Sequence, residues 1–145
     1  VPVGSRLLAI RDAASREVRV STIGAHLAQR WGSPQQPVDL LLWGAAQFGR
    51  WSDLDHAAGA VAAELGWRNV ATATQPGLRI GLFRSSGDRD PDDGRHGTFH
   101  QMLPTPRAYA LFPFHNAQNS TEAFVAADLR LRPALTLRSS VHRLQ

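Results

Sequence analysis

The strongest constraint in this sequence is a strict alternation near its end. Ala123, Val125, Ala127, Leu129 and Leu131 interleave with Glu122, Phe124, Ala126, Asp128, Arg130 and Arg132. After a tight turn at 132–134, Leu135, Leu137, Ser139 and Val141 interleave with Thr136, Arg138, Ser140 and His142. A period of two marks extended strands whose side chains point alternately to opposite faces. The segment therefore reads as a hairpin with one apolar and one ionic face. Two all-β solutions accommodate it. In a soluble sandwich the apolar row packs on a second sheet and the charges meet water; in a transmembrane barrel the apolar row meets lipid and the charges line an aqueous lumen.

The preceding segments extend the pattern. Arg6–Arg11 is a short strand, and Glu17–Gln29 reads as a strand whose apolar parity switches, which a bulge near Ser21 and Thr22 would explain. Asp39–Gly49, His56–Arg68 and Leu78–Ser85 complete the set, separated by Gly-, Pro- and Asp-bearing turns. The alanine-rich His56–Arg68 competes as a helix on propensity. Its two glycines, and the placing of His56, Glu64 and Arg68 on one parity, favour a strand. The expected architecture is an antiparallel up-and-down sheet of about seven strands, a partial transmembrane barrel. An eighth strand at Arg107–Phe114 would put the tight 132–134 turn on the same side as the long connection before it. Barrels alternate short turns on one side with long loops on the other, so seven is preferred.

Composition leaves both solutions open. No window approaches the roughly 18 to 20 apolar residues of a spanning helix, whereas barrel strands need only about 9 to 11 alternating residues. There is no cysteine, which removes disulfides, thiolate metal sites and a cysteine nucleophile together. All 16 basic residues are arginine and the formal net charge is +4. Planar guanidinium forks suit a polyanionic ligand, although codon bias in a GC-rich genome yields the same replacement of Lys by Arg. The start lacks the pattern of a secretory leader, and the 145 residues are expected to be one segment of a longer barrel domain.

Between the last upstream strand and the hairpin runs SGDRDPDDGRHGTFHQMLPTPRAYALFPFHNAQN, residues 86–119. No single period runs through it, and loops this long are uncommon in compact domains unless they act as a gate, plug or binding element. Ser86-Gly87-Asp88, the Asp-rich turn, Gly97-Thr98-Phe99, Gln101, Leu103-Pro104-Thr105, Tyr109 and Asn116 follow an order that resembles the alginate export family. Thr22-Ile23-Gly24, Gln47-Phe48-Gly49, Glu64-Leu65-Gly66, Arg132-Pro133, Leu135-Thr136-Leu137-Arg138 and His142 extend the resemblance over most of the chain from about residue 20. Members of that family are outer-membrane β-barrels through which a secreted polysaccharide leaves the cell.

The resemblance implies an export channel in the cell outer membrane, surrounded by its lipid and by periplasmic secretion components. It implies no cofactor and no covalent chemistry, and an anionic polysaccharide rather than nucleic acid as partner. The lumen candidates are then Arg68, Arg79, Arg130, Arg132, Arg138 and His142, interleaved with Glu64, Glu122 and Asp128. They would act as exchangeable carboxylate sites, as ion pairs bracing the wall, or both. Asp88, Asp90, Asp92, Asp93 and Tyr109 belong to the gating loop. Trp31, Trp51, Trp67 and Phe48, near strand ends, are girdle candidates.

Other chemistry has weaker support. Asp88, Asp90 and Asp92 space oxygens like the start of a calcium loop, but Asp93 stands where the glycine belongs and Phe99 where the bidentate glutamate belongs. His96 and His100 have helical ligand spacing in a segment unsuited to a helix. Ser85, Ser86, Asp88 and Asp90 lack the remainder of a hydrolytic triad. A soluble all-β carbohydrate-binding domain is the alternative to the channel.

Overall fold

The structure, a computed structural model, describes residues 17–90, 92–101 and 118–145. Among them there is no helix. The chain forms β1 (Val18–Ser33), β2 (Gln36–Trp51), β3 (Leu54–Arg68), β4 (Gly77–Ser85), β5 (Arg95–His96), β6 (Thr121–Arg132) and β7 (Leu135–Leu144). The sheet order is β1-β2-β3-β4-β6-β7, every neighbouring pair antiparallel, with β1 and β7 as its edges. This is an up-and-down open sheet, as a partial barrel requires. The seventh element is not the strand expected at Arg6–Arg11, which lies outside the described residues together with Arg107–Phe114. It is β5, a two-residue parallel bridge from the long loop onto β3.

The alanine-rich segment is a strand because both its edges are used. It pairs with β2 from Val38↔Trp67 to Trp51↔Leu54 and with β4 from Ala60↔Ser85 to Arg68↔Gly77. Ladder bonds on two sides outweigh a propensity difference of some tenths of a kcal/mol per residue. The expected bulge at Ser21 and Thr22 is absent: β1 and β2 pair without a shift from Val18↔Trp51 to Ser33↔Gln36. Val18 and Val20 therefore share a face with Thr22 and His26, so the change of parity reflects a mixed face and no backbone irregularity. A register shift occurs instead between Arg130 and Arg132.

Connections fall at two ends. The turn end holds residues 34–35, 69–76 and 133–134; the loop end holds the 52–53 turn and the long connection from β4 to β6. The tight β6–β7 turn thus lies opposite the long loop, as expected.

Continuous register assigns every strand residue to one of two faces. The outer face carries Ile23, Leu27, Trp31, Leu42, Val61, Leu65, Leu82, Val125 and Val141, all exposed. Leu129, Leu131, Leu135 and Leu137 belong to it and remain 36 to 54% accessible, and no second layer of the described residues covers them. Among the described residues the buried polar set is Gln47, His56, Ser85 and Glu122, while the buried apolar set is Ala60 and Phe99. The polarity is inverted relative to a water-soluble sandwich, whose leucine row would form its core.

Candidate functional site

The inner face is built from the opposite parity, and register decides which of its charges meet. Asp39, Gly66 and Arg79 form one row across β2, β3 and β4. Two strand spacings, about 9.6 Å, separate the outer two. The Arg79 guanidinium spans that gap, with Nη2 2.6 Å from Asp39 Oδ2 and Nη1 3.3 Å from Glu64 Oε2. Gly66 makes this possible, since a Cβ there would stand 2.7 Å from Asp39 Oδ1 and 2.8 Å from Arg79 Nη2.

Nearer the turn end, Asp128 lies between two cations, 3.1 Å from Arg68 Nη2 and 2.7 Å from Arg138 Nε. Two guanidiniums share one carboxylate, so this group keeps a net positive charge. Arg130 donates to Gln75 Oε1 at 3.3 Å and to the Pro133 carbonyl at 3.2 Å. On β6 and β7, Glu122 Oε1 lies 2.6 Å from His142 Nδ1, and that imidazole stacks on Phe124 at 5.3 Å. The Phe124 ring fills the space over Gly81, where an added Cβ would clash with it.

Arg68, Arg79, Arg130, Arg138 and His142 thus share the inner face. Arg132 leaves their row, because the register shift sets it opposite Leu135, an outer-face residue.

The long loop returns over this face. Gln47, 3% exposed, donates from Nε2 to the His100 carbonyl at 2.6 Å and accepts the His100 N–H on Oε1 at 2.8 Å. Phe99 packs edge-on against Trp43, ring centroids 6.5 Å apart. His96 stacks on Trp51 at 4.4 Å with planes 9° apart, and its Nδ1 lies 2.9 Å from His56 Nδ1. At the root of the loop, Ser86 Oγ accepts the Gly59 N–H at 2.9 Å and donates to the Gly97 carbonyl at 2.8 Å. The segment expected to gate or plug is therefore fastened to the inner face through Ser86 and through His96, Phe99 and His100.

Within the acidic turn the carboxylates cap their own backbone. Asp88 accepts from the Asp90 N–H, Asp90 from the Asp92 N–H and Asp93 from the Arg95 N–H. Among the described residues no three His, Asp or Glu side chains gather as metal ligands do. Tyr109 lies outside the described residues.

Trp51 corrects a reading of the sequence. It was a girdle candidate by its position at a strand end, but its parity is that of Gln47 and it stacks inside on His96. Trp31, Trp67 and Phe48 do face outward. Asp39, Trp43, Gln47 and Phe99 were not singled out as site residues. Their partners come from strands or loop positions far away in sequence, and the parity shared by Asp39 and Gln47 was the one available clue.

A protein-family model described as alginate export matches residues 6–145. No curated protein and no solved structure matches the chain. With that match over nearly the whole length, on an open antiparallel sheet with an apolar outer face, the chain belongs to the alginate export family.

Proposed function

We propose that the chain is part of an outer-membrane β-barrel that conducts an anionic polysaccharide through a lumen formed by the inner face. The inverted polarity carries this reading. A continuous outer face of exposed leucine, isoleucine, valine and tryptophan requires a hydrocarbon surround, and ion-paired inner rows require water. The six strands other than β5 run 9 to 16 residues, enough to cross a bilayer, for which about 9 to 11 are needed.

The mechanism needs no covalent step. A uronate carboxylate entering beside Arg68 and Arg138 competes with Asp128 for two guanidiniums, gains bidentate contacts, and leaves as Asp128 takes them back. Sites that already have an internal partner bind weakly, and conduction needs weak, repeated sites. The turn end of the inner face carries Arg30, Arg68, Arg130 and Arg138, whereas the acidic turn at 88–93 stands at the loop end. Short turns face the periplasm in such barrels. The polymer therefore meets the basic end first and passes the acidic loop on its way out, where like charge hastens release.

The test uses the full-length gene product. It should require detergent, migrate as a heat-modifiable band and form anion-selective channels in planar bilayers that a polyuronate blocks. Recovery as a soluble sugar-binding protein would refute the channel. Cation selectivity, or block by neutral dextran as strong as by polyuronate, would refute the anionic cargo.

A further inference from the structure

Register places five arginines on the outer, apolar face, and four of them lie at the loop end. Arg19 shares the parity of Ile23, Arg50 that of Phe48, Arg84 that of Leu82 and Arg143 that of Val141. The opposite rim of the same face carries Trp31 and Trp67. The fifth, Arg132, lies at that opposite end, where the register shift sets it against Leu135. Arg19 and Arg50 have carboxylates beside them, Glu17 at 2.7 Å and Asp55 at 4.0 Å. Arg84 and Arg143 are exposed and have no hydrogen-bond or ion-pair partner among the described residues.

These two arginines flank a strip of small side chains. Leu82, Ala123 and Arg143 form one row across β4, β6 and β7, and Arg84, Thr121 and Gln145 form the next. The floor between the arginines is therefore Ala123 and Thr121. Two strand spacings across and two residues along separate their Cα atoms by about 12 Å, comparable to the length of a disaccharide. Beside this strip, at the loop end of β3 and β4, a cavity of about 620 Å³ is lined by Arg84, Thr121 and Gln145 and adds Arg89 and Asn119.

We infer that Arg84 and Arg143, assisted by Arg89, form a binding site for the phosphorylated headgroup of a glycolipid in the outer leaflet. The inference rests on the membrane reading above. Long loops mark the external end of such barrels, so these arginines stand at the outer leaflet's headgroup level. A cation on a lipid-facing row is stable where it snorkels to the interface and meets an anion. Guanidinium forks bind phosphate oxygens in pairs. The floor of small side chains lets a sugar backbone approach the sheet while its phosphates reach the two arginines.

Native mass spectrometry of the full-length protein in mixed micelles tests this, using a disaccharide lipid bearing two phosphates and the same lipid with both phosphates removed. Wild-type protein should retain the phosphorylated lipid at least tenfold more strongly than the dephosphorylated one. Arg84→Gln/Arg143→Gln should weaken retention about thirtyfold, the product of two cationic contacts at an anionic surface, while polyuronate block stays at the wild-type level. Equal retention of the two lipids by wild-type protein would overturn the site without any variant having to fold. Unchanged retention by a folded double variant would overturn it too. Both of those results leave the channel intact, whereas a protein that never inserts into a bilayer defeats the membrane reading and the site with it.

Discussion

Replacing Gln47 by methionine tests whether the long loop is held in place by the sheet or by itself. The change nearly preserves volume and removes both hydrogen bonds to the His100 backbone, at 2.6 and 2.8 Å, along with the 3.1 Å bond to Thr22 Oγ1. Gln47 is 3% exposed, so the His100 N–H and C=O are left facing a side chain that cannot satisfy them. Each orphaned group costs about 1 to 3 kcal/mol. The lower end, about 2 kcal/mol for the pair, raises the population of the detached loop about thirtyfold. Trypsin reads that population, because Arg89 and Arg95 lie in the loop and cleavage of a transiently open segment follows the open fraction when closing is fast. The variant in detergent should be cut in this loop at least tenfold faster than wild type, and single channels should show longer open times. If cleavage and gating both stay within twofold of wild type, the Gln47 clamp does not hold the loop, and the expectation that it gates loses its anchor.

Other substitutions probe the inner face. Gly66→Ala would place a methyl group against Asp39 and Arg79, both flexible at their tips, so the sheet should persist while the pair separates; the reversal potential in a salt gradient should shift, and an unchanged value would mean the pair does not face the conducting path. Asp128→Asn removes the carboxylate shared by Arg68 and Arg138, and polyuronate block should strengthen by up to about fivefold, the scale of exposed ion pairs; weaker block would show that Asp128 positions the arginines for the polymer instead of competing with it. Gly81→Val drives a branched side chain into the Phe124 ring, an overpacking of about 1 to 3 kcal/mol, and should lower the temperature of heat modification, with Gly81→Val/Phe124→Ala recovering part of the loss. His96→Ala removes the stacking partner of Trp51 and should alter tryptophan emission, whereas an unchanged spectrum would place the indole elsewhere.

Several features were legible because they are local. Alternation along residues 122–142 separates Leu129 and Leu137 from Asp128 and Arg138 with no knowledge of any partner, and the same parity orders His56, Glu64 and Arg68 on one side of β3. The aperiodic stretch after Ser85 announced a break in the strands, and its described residues, 86–90 and 92–101, hold no more than the two-residue β5. The strand assignment of the alanine-rich segment also held, against its propensity. By contrast, the apparent change of parity in β1 invited a bulge that the unbroken β1–β2 register does not contain. Trp51 was misplaced because proximity to a turn says nothing about facing, and Arg132 was misplaced because the register shift before it breaks the alternation.

By itself, the sequence determined that the chain makes strands with one greasy and one charged face, since a side chain's facing follows from a two-residue period within a single strand. Only the tertiary structure decided that the greasy face is left uncovered by the other described residues, that Arg79 reaches Asp39 across Gly66, that Gln47 clasps His100, and that four outer arginines gather at one rim. Each of these depends on how far one strand slides along the next. A slide of one residue would reverse every facing, and the information that prevents it is spread over all the strand pairs at once.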